Sequence, residues 1–436
     1  MARKPPFHFV ELSHQFISSE TNIEKYRTCP KDFTRNRKFG FKELSLFMLR
    51  TLKQNIQVEL QKFLDDIKNC VYSFTTSAFV QGRKKIKPDM FLDLNAAIAS
   101  DFYQDNDDSV QLYKGHRLLA IDGSTINLPI SPSTIAEYGF CNNQKKTDDV
   151  VIARVSILYD VLNEIAIDGR LSRFSVGEVA LARQQLQLAQ SGDIVIMDRA
   201  YTSFGAMHQM DGDGIHFICR CKIAYSNATE NFSLSGKDDD ILVLSPKQNR
   251  SFNGLQYDKN ASITVRMLRV PLSTGEHEIL ITSLLDGRAY PYADFKELYF
   301  KRWAIETYYN RFKNIIGVEH FSGTSCQFIL QEFYCALYMS NMQAILTMDA
   351  QQQARKKYGH RAYQYRINAS LSLCFIRNRL IELFTGKTGK EAMEELEQLF
   401  VKNVVPIRPN RNFDRKTDRY RQRTKPKQFK NRRINL

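Results

Sequence analysis

Apolar residues change their spacing several times along this chain, and each change marks a different kind of structure. Between residues 41 and 67, Leu44, Phe47, Met48, Leu52, Ile56, Leu60, Phe63 and Leu64 recur at three- and four-residue intervals. That is the spacing of a helix burying one face. A Ser/Thr turn leads to a second helical unit, 76–88 followed by 90–102. The first of these two helices has a basic face carrying Arg83, Lys84 and Lys85. Two short helices of this kind read as a helix-turn-helix module that contacts DNA. The first thirty or so residues, with Pro5, Pro6 and Pro30, read as irregular.

From 116 to 222 the pattern shifts to short apolar runs separated by turns, which predicts an α/β core. Leu118-Leu119-Ala120-Ile121 runs into Asp122-Gly123-Ser124, and Ile194-Val195-Ile196-Met197 runs into Asp198-Arg199-Ala200-Tyr201. Both aspartates are expected to terminate buried strands, where α/β sheets gather their ligands. Residues 150–158 and 164–171 read as a hairpin or meander, and 177–189 as a helix. The block 223–286 is strand-rich, with runs at 241–244, 263–270 and 278–285, and reads as an all-β insertion. Beyond it, 328–350, 365–384 and 390–401 carry helical spacing.

Between the insertion and those helices, Tyr299, Arg302, Glu306 and Lys313 fall at offsets of 0, 3, 7 and 14. At about 100° per residue they share one helical face within roughly 60° of arc. Ile305, Tyr308, Phe312 and Ile315 form an apolar stripe on the other side. Asp294 and Glu297, after Pro291, supply a capping start. Arg302 precedes Glu306 by four residues, the weaker orientation for a helix-stabilising pair, so helix stability is a poor reason for the arrangement. A carboxylate flanked by cations suits metal-held chemistry on a phosphate backbone.

Charge narrows the partner. The 436-residue chain carries a net +15. From 406 to 436 twelve Lys or Arg face only Asp414 and Asp418, so ten of the fifteen charges sit in the tail. Arg415, Lys416, Arg419, Arg421 and Arg423 are representative, and the tail reads as an arm for a polyanion. It has no amphipathic apolar face, which favours nucleic acid over a membrane surface. The eight cysteines show no zinc spacing, and no apolar run of about twenty residues could span a bilayer. A cytoplasmic protein is expected.

Asp122, Asp198 and Glu306 thus form a set of hard oxygen ligands suited to Mg²⁺ or Mn²⁺. At this point the sequence resembles a DDE transposase of the IS4 family of bacterial insertion sequences. The resemblance rests on Asp122-Gly123-Ser124, on Asp198-Arg199-Ala200-Tyr201, and on Tyr299-x2-Arg302-x3-Glu306-x6-Lys313, over roughly residues 110–350. It implies an RNase H-like core interrupted by the β insertion, and two metal ions on Asp122, Asp198 and Glu306. It further implies that Tyr299, Arg302, Lys313 and Arg199 hold DNA phosphates, and that Trp303, the sole tryptophan, is a candidate for stacking on a base. Partners would be double-stranded DNA, as terminal inverted repeats and target, with a homodimer in the paired-end complex.

The organisation expected is a helical DNA-binding region at 1–110, the core's first part at 111–222, the insertion at 223–291 and the core's second part at 292–350. A C-terminal helical region at 351–402 and the basic tail at 403–436 complete it. Two other readings stay open: a catalytically silent, sequence-specific DNA-binding protein, and a plain RNase H-like nuclease. Loss of a carboxylate or of the phosphate grip would mark the first, and both are present here.

Overall fold

Apolar runs pair side by side to form the central sheet, and its two faces explain where the acidic residues point. The computed structural model describes residues 4–35, 39–52, 54–67, 74–104, 109–140, 150–246, 260–271, 275–385 and 389–408. Helices α1 (Pro6–Ser18), α2 (Glu20–Tyr26), α3 (Phe41–Leu49), α4 (Ile56–Asp66), α5 (Thr76–Arg83) and α6 (Asp89–Tyr103) come first. Then follow β1 (Leu118–Leu128), α7 (Pro132–Tyr138), β2 (Val151–Asp160), β3 (Ile165–Arg173), α8 (Glu178–Leu186), β4 (Ile194–Met197), α9 (Phe204–Gly212) and β5 (His216–Cys221). Next are α10 (Asn227–Leu234), β6 (Asp239–Leu244), β7 (Ile263–Pro271), β8 (His277–Thr282), α11 (Asp294–Phe300) and α12 (Trp303–Arg311). A π turn, Phe312–Ile316, precedes α13 (Cys326–Tyr358), β9 (Gln364–Ile367), α14 (Ala369–Asn378), α15 (Leu380–Thr385), α16 (Gly389–Lys402) and β10 (Val404–Ile407).

The chain divides into two compact units. One comprises 110–125 and 154–309, the other 1–109, 126–153 and 310–436. The first holds the sheet, ordered β3-β2-β1-β4-β5-β8-β7-β6. Strands β1, β4 and β5 run parallel, and β5 to β8, β8 to β7 and β7 to β6 are antiparallel. Alternate residues face opposite sides. Leu119, Ile121, Val195, Met197, Phe217 and Cys219 meet α8 and α9 through Ala182, Leu186, Met207 and Met210. Leu118, Ile194, Ile196, Ile218 and Leu280 meet α11 through Phe295, Leu298 and Tyr299.

The second unit is helical. Its long α13 contacts α1, α3, α6, α16 and β9. Polar pairs fix these neighbours: Tyr338 donates to Ser13 Oγ at 2.8 Å, and Asn341 Nδ2 to Asn95 Oδ1 at 2.8 Å. Phe47 packs edge-on against Phe63 and Phe79, tying α3 to α4 and α5. No helix among the described residues is long and apolar enough to cross a membrane.

Several expectations need correction. The N-terminus is helical, because Pro6 opens α1 at a first-turn position where its missing N–H costs nothing, and Phe9, Val10, Ser13 and Ile17 bury one stripe. The predicted 41–67 helix is two helices. Thr51 takes a left-handed φ of 48°, and Asn55 restarts the chain by accepting from Gln57 N. The predicted helix at 365–384 begins as β9, paired with β10. Asp122 does not end its strand, which continues to Leu128, although the pairing with β4 stops at Ala120. Among the described residues the 223–291 block is not all-β. It contains α10, and its strands extend the one sheet because β8 pairs with β5.

Candidate active site

Strand register brings the two aspartates together. The pairs Leu118–Ile194, Leu119–Val195 and Ala120–Ile196 run β1 and β4 side by side, and Asp122 and Asp198 each follow two residues after the last pair. Both residues have the parity of Leu118 and Ile194, so both lie on the face covered by α11. Each aspartate turns Oδ1 back to accept from the next amide: Gly123 N at 2.8 Å and Arg199 N at 2.7 Å. The pairing of β4 with β5, carried one residue past Met197–Cys219, sets Arg220 level with Asp198. Arg220 in turn reaches Glu278 on β8 at 3.2 Å.

The helical arm that brings Glu306 to this face is not one continuous α-helix. At its middle Arg302 N bonds Tyr299 O, Ala304 N bonds Lys301 O, and Ile305 N bonds Arg302 O, at 3.0–3.2 Å. These three-residue bonds tighten the turn to about 120° per residue and separate α11 from α12. Asp294 does not cap α11; it accepts from Lys114 Nζ at 2.9 Å. At the far end the π turn adds a residue, so the buried stripe runs Ile305, Tyr308, Phe312, Ile316 rather than through Ile315. Lys313 lies in that turn, within the helical unit.

Arg302 stands at the centre of the acidic group. It is only 5% exposed, yet its Nη2 donates to Glu306 Oε1 at 3.1 Å and its guanidinium lies 5.0 Å from the Trp303 ring centroid. Burial works to lower its pKa, but Tyr299, Asp198 and Glu306 outweigh that and raise it. Asp122 is pushed up to about 6, chiefly by burial, with Glu306 and Glu178 adding repulsion against the pull of Arg302. Burial also raises Glu278, which feels Arg220, Arg302 and Asp198. The three predicted carboxylates therefore share one electrostatic neighbourhood around one cation. Among the described residues, no group of three or more His, Cys, Asp or Glu side chains is gathered tightly enough to hold a metal ion.

Two donors in this neighbourhood are buried without a hydrogen-bond partner among the described residues: Tyr299 Oη and Arg302 Nε. Tyr201 Oη shares that condition. Burial raises the Tyr299 hydroxyl pKa well above its ordinary value, so it is a proton donor at neutral pH. Arg199 is exposed at the strand end, and Trp303 is 42% exposed.

A family profile described as a transposase DDE domain matches residues 113–342. The chain belongs to this family of DDE transposases. The matched span runs from just before β1 into α13, and so contains Asp122, Asp198 and Glu306. Over 203 residues the chain is 25% identical to the "Transposase InsG for insertion sequence element IS4" of Escherichia coli (strain K12), covering 46% of this chain and 44% of that relative. The chain thus spans under half the length of the curated relative it matches. Among solved structures, the cryo-EM structure of the piggyBac transposase synaptic complex with hairpin DNA is similar at a TM-score of 0.43 and 11% identity. That likeness covers 94% of this chain and 89% of the other.

Other expectations fall outside the site. Arg83 is not on a DNA-facing surface. It is 1% exposed and donates to Gln331 Oε1, Ser322 Oγ, Glu332 Oε1 and Phe328 O at 2.7–3.2 Å, which makes it an internal anchor of the helical unit. Lys85 pairs with Asp32 at 2.9 Å, and Lys84 is exposed. Arg415, Lys416, Arg419, Arg421 and Arg423 lie outside the described residues.

The sequence reading missed residues whose role depends on register. Glu278 and Arg220 come from strands far apart in the chain. Tyr309 donates to the backbone carbonyl of Asp122 at 2.8 Å. Glu178, paired with Arg154, lies so near Gly123 that a Cβ there would come within 2.7 Å of its side chain. Tyr309 had a usable signal, three residues beyond Glu306 on the same helix. The others had none.

Proposed function

We propose that this chain is a cut-and-paste transposase, cleaving and joining DNA strands at the terminal inverted repeats of an insertion sequence. The observation that carries the reading is the grouping of Asp122, Asp198 and Glu306 around buried Arg302. An RNase H-like core accords with the order β3-β2-β1-β4-β5, in which β4 and β5 run parallel to β1. The β6–β8 segment, together with α10, is the counterpart of the insertion. The 1–110 and 351–402 regions would flank the core as DNA-binding and helical parts, with 403–436 as a basic arm.

Asp122, Asp198 and Glu306 are the residues that would hold Mg²⁺ or Mn²⁺, two ions whose chemistry when bound is to activate a water or 3′ hydroxyl and stabilise the departing oxygen. The donor set fits: hard carboxylate oxygens, with Asp122 held at a raised pKa that a cation would relieve. Glu306 is part-exposed and already faces the Arg302 guanidinium at 3.1 Å, so its carboxylate lies where a cation is favoured. The unpartnered Tyr299 Oη and Arg302 Nε are donors that a phosphate oxygen would satisfy, removing a cost of about 1–3 kcal/mol for each buried orphan. Arg199 would extend that grip, Lys313 would be a further contact to DNA phosphate, and Trp303 would offer its exposed ring to an unpaired base. A homodimer in the paired-end complex and nucleoid association belong to the same proposal.

The test is strand cleavage on duplexes carrying the element's own ends. Asp122→Asn, Asp198→Asn and Glu306→Gln should each keep end binding and lose Mg²⁺-dependent nicking by at least about 10³-fold. Nicking that survives in all three variants would refute the site. Equal nicking of unrelated duplexes would favour the plain nuclease.

A further inference from the structure

The last turns of α13 and the chain that follows carry an array of cations absent from every expectation above. Arg355, Lys356 and Lys357 end the helix, Arg361 sits in the turn after it, Arg366 is on β9, and Arg408 follows β10. All six are exposed. Among the described residues none of them forms an ion pair with a carboxylate, and the sequence from Gln351 to Asn368 contains no Asp or Glu. Several lysines elsewhere, Lys25, Lys85, Lys114 and Lys237, do have acidic partners.

A basic last turn alone is explained by the helix dipole, which favours cations at the C-terminus. That account does not reach Arg361, Arg366 or Arg408, which lie beyond the helix. The array is also built on a fixed base. Tyr358 donates to Val401 O at 3.1 Å, anchoring the end of α13 to α16. The Arg361 guanidinium lies over two rings, 4.7 Å from the Tyr358 centroid and 5.2 Å from that of Tyr365. Gln351 ties β9 to the helix, donating to Tyr365 O and accepting from Ile367 N. Strand β10, antiparallel to β9, holds Arg408 beside that strand through the Ile407–Gln364 pair.

From this arrangement we infer a second nucleic-acid surface, in which Arg355, Lys356, Lys357, Arg361, Arg366 and Arg408 bind the phosphate backbone of duplex DNA without reading its sequence. Charge complementarity selects the occupant. The chain after Arg408 is itself strongly basic, with eleven Lys or Arg against two Asp, so like-charge repulsion prevents it from neutralising this array. A polyanion accommodates both. Exposed Tyr363, at 45%, and stacked Arg361 add the ring and guanidinium planes that nucleic acid favours over a lipid headgroup layer. The inference rests on the transposase reading for its choice of DNA, but not on the carboxylates.

The experiment uses the full chain with Arg355, Lys356, Lys357, Arg361 and Arg366 all changed to Gln, and an unrelated 30-base-pair duplex as probe. Affinity is measured across a range of salt concentrations. Loss of five phosphate contacts should flatten the log–log salt slope by about 4 to 5 and weaken binding at roughly 0.15 M salt by more than tenfold. Charge-retaining Arg361→Lys with Arg366→Lys should keep the wild-type slope, and matching circular dichroism excludes misfolding as the cause of any loss. An unchanged slope in the Gln variant overturns the inference. So does binding to phosphatidylserine vesicles that is tighter than to DNA and is lost in the same variant. If the carboxylate variants still nick DNA while this slope falls, the active-site reading fails and the surface stands.

Discussion

Two buried arginines, one in each unit, show how the same side chain serves two purposes. Arg83 in the helical unit is saturated: four acceptors surround it, and Phe328 lies 4.1 Å below its guanidinium. Arg302 in the sheet-bearing unit is almost as buried, yet among the described residues its guanidinium keeps an unpartnered Nε beside the hydrogen bond to Glu306. Natural interiors rarely leave a charged donor unpaired, because each orphan costs free energy. A satisfied arginine marks construction. An unsatisfied one among half-buried carboxylates and an orphaned tyrosine hydroxyl marks a place where something else binds.

The contrast breaks most visibly in activity. Arg302→Ala should reduce Mg²⁺-dependent nicking of element ends by about 10²- to 10³-fold, as expected for loss of a preorganised phosphate-side donor. Its melting curve should stay within about 1 kcal/mol of wild type, since its carboxylate neighbours are half-exposed. Arg83→Ala should do the reverse. Removing one partner of a buried ion pair costs about 3–5 kcal/mol, so denaturant unfolding should shift strongly while residual folded protein still nicks. Equal stability losses in the two variants would erase the distinction.

Asp122 sharpens it at smaller scale. Burial lifts its carboxyl from the ordinary 3.8 to about 6. Between those values the folded chain holds a proton that the unfolded chain has lost, so stability falls as pH rises through the window, and the penalty persists above it. Asp122→Asn should therefore melt higher than wild type at about pH 7.5, by on the order of 1 kcal/mol, and the advantage should vanish as pH falls towards about 4. Wild-type nicking should decline as pH drops through about 6, where the carboxylate takes up its proton. A variant that melts lower than wild type at neutral pH would mean that the ionised carboxylate is already compensated.

Much of this site was legible in the sequence, for a physical reason. Tyr299, Arg302 and Glu306 are near neighbours on one helical arm, and Asp122 and Asp198 each follow an apolar run that a buried strand demands. Local pattern suffices for both. What local pattern could not carry was register. Glu278 and Arg220 join Asp198 only because β5 pairs with both β4 and β8, and Glu178 reaches Asp122 only because Gly123 lacks a Cβ. The tightened turn at Arg302 and the π turn at Lys313 were equally hidden, since ideal helical spacing assumes 3.6 residues per turn throughout. Charge misled at Arg83, where a basic run suggested a surface and tertiary pairing buried its last helical residue. At α1, Pro5 and Pro6 suggest irregular chain, whereas Pro5 is the N-cap and Pro6 opens the helix.

The most direct test of the shared acidic site is calorimetric titration of Mn²⁺ into the full chain, wild type beside Asp122→Asn, Asp198→Asn and Glu306→Gln. Measurable binding by the wild type, lost or weakened at least tenfold in each variant, is the result expected when the three carboxylates hold the ions jointly. Mn²⁺ affinity that is unchanged in all three would contradict it.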